Sequence, residues 1–100
     1  MSDAEFLQQI EACTLPKDAF THRNHVRLAW LYVSDRPGGD PDARIAVTIQ
    51  RYAISVGATT KYDRGLTMRW MRLVETAMVA TPAESFDAFI TARPELLERR

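Results

Sequence analysis

The residues with the greatest chemical potential lie in one turn. His22 and His25 fall within Phe20-Thr21-His22-Arg23-Asn24-His25, and residues three apart on a helix share a face, so both imidazoles can point at one centre. Neutral imidazole is the commonest metal ligand. The first turn of a helix carries partial positive charge, which disfavours imidazolium and keeps both rings able to ligate. Two nitrogens do not complete a site, because zinc takes three or four protein ligands. Asp63, Glu75, Tyr62 or Cys13 would have to supply the rest. A bound divalent metal ion would then offer a water as nucleophile or acid/base. The structural alternative gives the rings separate jobs, one packing at the top of the core and the other hydrogen-bonding a neighbouring loop.

A second candidate is electrostatic. Between Arg44 and Arg72 the cations are Arg44, Arg51, Lys61, Arg64, Arg69 and Arg72, opposed only by Asp63. Acidic residues gather towards the ends, at Asp3, Glu5, Glu11, Glu84, Asp87, Glu95 and Glu98. Arg64 and Arg69, near a helix start, can bind a phosphate or carboxylate through charge-assisted hydrogen bonds. Arg44 and Arg51 share one helix face, and Arg69 and Arg72 share a face on another helix. The alternative is a solvated surface paired with acidic neighbours. Arg27 sits inside an apolar helix and calls for a carboxylate such as Glu75 or Asp63. Trp30, Trp70, Tyr32, Tyr52 and Tyr62 read as core rather than pocket lining. Cys13 has no adjacent base to make it a nucleophile. The sequence contains no phosphate-binding glycine loop, dinucleotide fingerprint or serine nucleophile elbow.

These side chains must be positioned by helices. Ser2 and Glu5 form a capping box, followed by Phe6, Leu7 and Ile10 on one stripe. Thr14-Leu15-Pro16 ends that helix. A second runs from Thr21 to Ser34 and is apolar nearly all round, which marks it as the buried central helix. Arg36-Pro37-Gly38-Gly39 is a turn. Asp40-Pro41 opens a third helix with Ile45, Ile49, Tyr52 and Val56 facing inward, and Gly57 is its left-handed cap. A fourth begins between Asp63 and Thr67 and carries Leu66, Trp70, Leu73 and Ala77 in one stripe, with Met71, Val74 and Met78 beside it. Thr81-Pro82-Ala83-Glu84 reads as the capping box of a fifth, burying Phe86, Phe89 and Ile90. Pro94 ends it and begins one more turn with Leu96 and Leu97. No segment alternates as a strand. The fold class is therefore all-α, a compact antiparallel bundle of about five helices forming one domain over residues 1–100.

Composition sets the outer bounds. The chain has 100 residues, 13 Lys+Arg against 13 Asp+Glu, and 46% hydrophobic residues, a globular rather than disordered profile. Balanced charge argues against a nucleic-acid partner. One cysteine excludes an internal disulfide, and no apolar run is long enough for a membrane helix. The N-terminus, with Asp3 and Glu5, lacks the basic start of a signal peptide. A soluble, cytoplasmic protein is expected.

The pattern Phe20-x-His22-x-x-His25-Val26-Arg27-Leu28-Ala29-Trp30-Leu31-Tyr32, then Lys61-Tyr62 and Thr67-x-x-Trp70, resembles a family of small uncharacterised bacterial proteins. Their motifs read F-x-H-x-x-H-L-R-x-A-W-x-Y-L and K-Y-H-E-T-x-T-x-x-W. The resemblance implies a shared helical fold and a shared site rather than a particular reaction. Where that family has His-Glu, this chain has Asp63-Arg64, so Asp63 would replace a third histidine and leave a two-histidine, one-carboxylate site. The family pattern also continues into an aromatic, arginine-containing tail beyond Pro94-Glu95-Leu96-Leu97. The expected function is metal or small-molecule binding by His22, His25 and Asp63, with Arg27 and Tyr62 supporting them. The alternative is a non-catalytic interaction module, either a homodimer or an anion-binding adaptor using Arg64 and Arg69.

Overall fold

Local signals start and stop most of the helices. The computed structural model describes residues 1–34, 40–58 and 63–98; the Arg36–Gly39 turn, Lys61 and Tyr62 lie outside them. Helix α1, Asp3–Glu11, opens with the Ser2–Glu5 capping box, both hydrogen bonds of which are present. Helix α2, His22–Ser34, starts where the Thr21 hydroxyl accepts from the Asn24 N–H at 3.3 Å. Helix α3, Pro41–Ser55, has Asp40 as N-cap, accepting from the Asp42 N–H, and Pro41 in the first turn. Helix α4, Arg64–Ala80, begins where the Asp63 carboxylate accepts from the Leu66 N–H at 3.0 Å. Helix α5 is Phe86–Ala92, and short 3-10 turns cover Lys17–Ala19 and Pro94–Leu97. These five α-helices, with no strand among the described residues, make an all-α bundle.

Two helix ends adopt the same left-handed cap. After α3, Gly57 has φ +72°, with Gly57 N–H donating to the Ile54 carbonyl and Ala58 N–H to that of Ala53. After α1, Cys13 has φ +60°, with Cys13 N–H donating to the Ile10 carbonyl and Thr14 N–H to that of Gln9. Both are Schellman caps. The glycine was legible as such, whereas a Cβ at Cys13 carries a cost of roughly 1 kcal/mol that tertiary packing must outweigh.

Helix α2 is the hub, packing on α3, α4, α5 and the Pro94–Leu97 turn. Val26, Leu28, Ala29, Trp30, Leu31, Tyr32 and Val33 are all buried, as its all-round apolar pattern predicts. The core joins them to Phe6 and Ile10 of α1, Ile45, Ile49 and Tyr52 of α3, and Phe86, Phe89 and Ile90 of α5. The radius of gyration is 12.8 Å, matching the roughly 13 Å of a 100-residue domain.

Two expectations are corrected. Helix α5 does not start at the Thr81–Glu84 box. Thr81 instead closes α4, its N–H donating to Ala77, and Ser85 is the N-cap, accepting from Ala88. The Thr81 N–H that a capping box would give to the Glu84 side chain goes to the Ala77 carbonyl instead, and the helix capped by Ser85 buries Phe86, Phe89 and Ile90. Helix α4 is also rotated from its expected stripe. Thr67, Trp70, Met71, Val74 and Ala77 face inward, while Leu66 and Leu73 are 41% and 46% exposed. The two stripes share Trp70 and Ala77. Packing against α2 and α3 selects the one that leaves Leu73 at the edge of a groove.

Candidate functional site: an arginine-lined groove

The His22–His25 turn sits at the start of α2, but its two rings are committed differently. His22 Nε2 lies 3.0 Å from the Leu96 carbonyl, 74 residues away. A carbonyl only accepts, so Nε2–H is the donor. The same ring meets Trp70 edge-on, with centroids 4.6 Å apart. His22 thus ties together α2, α4 and the Pro94–Leu97 turn. His25 packs 5.6 Å from the Phe20 ring, and its buried Nε2 has no hydrogen-bond partner among the described residues. Burial pushes its pKa down to about 4, with the nearby His22 adding to the shift. The direction is the neutral ring expected at a helix start, but loss of solvation is the main cause.

The other expected site residues disperse. Asp63 caps its own helix through Leu66. Among the described residues no group of three or more His, Cys, Asp or Glu is gathered to hold a metal ion. Arg27 finds Asp3 rather than Glu75 or Asp63. Its Nη2 lies 2.6 Å from the Asp3 carboxylate and 3.1 Å from the Met1 carbonyl, and its guanidinium stands 5.0 Å over the Phe6 ring. The N-terminal turn of α1 was close enough to intercept it. Tyr62 lies outside the described residues. Arg64 is exposed in the first turn of α4.

Arg69 belongs to a different arrangement. A groove of about 620 Å³ runs between α4 and the segment after α5, lined by Arg69, Arg72, Leu73 and Ala77 on one side and Arg93, Glu95 and Leu96 on the other. A lobe of about 370 Å³ adjoins it, lined by Trp70, Leu73, Leu96, Glu95 and Glu98 together with Arg69. These volumes fall in the usual range of ligand pockets. The wall opposite α4 is held by the His22–Leu96 hydrogen bond and by an Arg93–Glu95 ion pair of 2.8 Å. Arg69 and Arg72 form no ion pair with any described residue.

Arg44 and Arg51 of the basic middle are engaged. Arg44 stands 4.6 Å over the Tyr32 ring and 3.8 Å from the Glu11 carboxylate. Arg51 donates to the Glu11 carbonyl at 2.7 Å. The Tyr32 hydroxyl donates to Glu11 Oε2 at 2.6 Å and lies 2.8 Å from Thr48 Oγ1. Burial and the Glu11 hydrogen bond push the Tyr32 pKa up to about 12.

The sequence placed Arg69 and Arg72 on one face and so half of the groove was legible. Arg93 and the Leu96 carbonyl were not, because nothing local marks a backbone oxygen as the partner of a histidine 74 positions earlier. No family model matches the chain, and no match to it is found among curated proteins or solved structures.

Proposed function

We propose that the chain is a non-catalytic binding module that takes a carboxylate- or phosphate-bearing ligand in the groove between α4 and the Pro94–Leu97 turn. One observation carries the reading: Arg69 and Arg72 line that groove and make no ion pair with any described residue. A guanidinium at an apolar-walled groove gains most from a charge-assisted, two-pronged contact with an incoming oxyanion. His22 acts as a strut, holding Leu96 in the far wall. The single cysteine suits a reducing compartment such as the cytoplasm.

Hexaglutamate is a suitable probe. Isothermal titration is expected to show binding that weakens between 50 and 200 mM salt. It is expected to disappear in the Arg69→Ala/Arg72→Ala double variant, whose unfolding midpoint stays in place. Binding that survives the double substitution, or none at millimolar peptide, contradicts the proposal.

A second reading keeps the histidines as ligands, favoured by the orphaned Nε2 of His25. The donor set stops at two rings among the described residues, so the rest would come from the bound molecule or solvent. Zinc titration of the untagged protein tests it. A stoichiometric metal lost on His25→Ala supports the reading, and substoichiometric metal indifferent to that change removes it.

A further inference from the structure

We infer that the ligand of this groove is a small amphiphile, a single alkyl chain ending in a carboxylate. The inference rests on the groove being an anion site and goes further by naming the rest of the molecule. The head is set by charge. Arg69 and Arg72, one turn apart on α4, make no ion pair with any described residue. The other charged groups of the lining are engaged, Arg93 and Glu95 with each other and Glu98 with a partner of its own.

The tail is set by the main chain of the wall opposite α4. A polypeptide laid in a groove gains affinity from backbone hydrogen bonds, and here the groups that would make them are already used. Pro94 has no N–H, the N–H groups of Leu96 and Glu98 donate to the Arg93 and Glu95 carbonyls, and the Leu96 carbonyl accepts from His22. Helix α4 spends its own backbone groups along its axis. Beyond the two guanidiniums the groove therefore offers mainly hydrocarbon, from Leu73, Ala77 and Leu96 in the larger lobe and from Trp70, Leu73 and Leu96 in the smaller one. The lobes share Arg69, Leu73 and Leu96, so a chain anchored at Arg69 can pass from one into the other. An alkyl chain needs no hydrogen bond and covers Leu73, which is 46% exposed. A nucleotide fits less well. It needs an open aromatic face for stacking, and Trp70 is 9% exposed with His22 packed against its ring.

Isothermal titration of the full chain with hexanoate, octanoate and decanoate, below micelle formation and near neutral pH, tests this. A fully enclosed methylene tightens binding about fourfold, and in a groove open on one side about twofold is expected, so decanoate should bind roughly fifteenfold tighter than hexanoate. Leu73→Asn is expected to remove about half or more of that advantage, its unfolding midpoint showing that the fold is kept. The Arg69→Ala/Arg72→Ala variant is expected to weaken decanoate at least roughly tenfold. Equal affinity across the series, with hexaglutamate still bound through the two arginines, overturns the amphiphile and leaves the anion site standing. A chain-length effect indifferent to Leu73→Asn, or decanoate binding indifferent to loss of the arginines, puts the chain elsewhere and overturns the inference. Failure of hexaglutamate and of all three acids overturns both readings. Binding to phosphatidylglycerol vesicles with none to the monomeric acids overturns the inference in favour of a membrane surface.

Discussion

Two groups of arginines in this chain use the same side chain in opposite ways. Where α1 meets α2 and α3, Arg27 is matched to Asp3, Arg44 approaches Glu11, and Arg51 donates to the Glu11 carbonyl. Along α4, Arg69 and Arg72 border the groove without any such partner among the described residues. In the first region the guanidinium is part of the fold. In the second it is surface charge set beside apolar walls, where the proposed anionic ligand would meet it. A net charge of zero over 100 residues conceals this division.

The largest expected effect fixes the conditions under which the regions can be compared. His25 has a folded-state pKa of about 4 against an ordinary value of 6.5. Above pH 6.5 it is neutral in both states and its contribution is complete. As pH falls from 6.5 to 4 the unfolded chain takes up a proton that the folded one refuses, so stability drops, by roughly 3 kcal/mol in all. Urea unfolding across this window measures the slope, which His25→Gln is expected to flatten. Binding and stability are therefore best compared near neutral pH.

Within the α1–α2–α3 region, Tyr32→Phe removes a hydroxyl shared by Glu11 and Thr48. Leaving their oxygens without it is expected to cost about 2 kcal/mol. An unchanged denaturation midpoint would show that the network is ornamental. Arg27→Ala gives up the Asp3 pair and its packing over Phe6, for about 1 kcal/mol. Arg69→Ala and Arg72→Ala are expected to change stability by less than about 0.5 kcal/mol each. If either proves as costly as Arg27→Ala, the distinction between structural and free arginines fails.

How much of this the sequence reveals depends on the range of the interaction. Ser2 with Glu5, Asp40 with Pro41, and Gly57 are local signals, and each sits where its residue type demands. The apolar circumference of α2 likewise marks the centre of the bundle. The partners of Arg27 and His22, 24 and 74 positions away, have no local signature. The rotation of α4 is similar, since two overlapping stripes are nearly equivalent until α2 and α3 choose between them. Of the groove, the shared face of Arg69 and Arg72 was visible and the opposite wall was not.

The most direct test of the division is an amide chemical-shift map of the full chain titrated with hexaglutamate at neutral pH. Shifts concentrated over residues 65–77 and 93–98, with Asp3, Glu11, Arg27 and Arg44 still, are the expected result. Perturbation centred on Arg27, Arg44 and Arg51, or none at saturating peptide, would contradict the account.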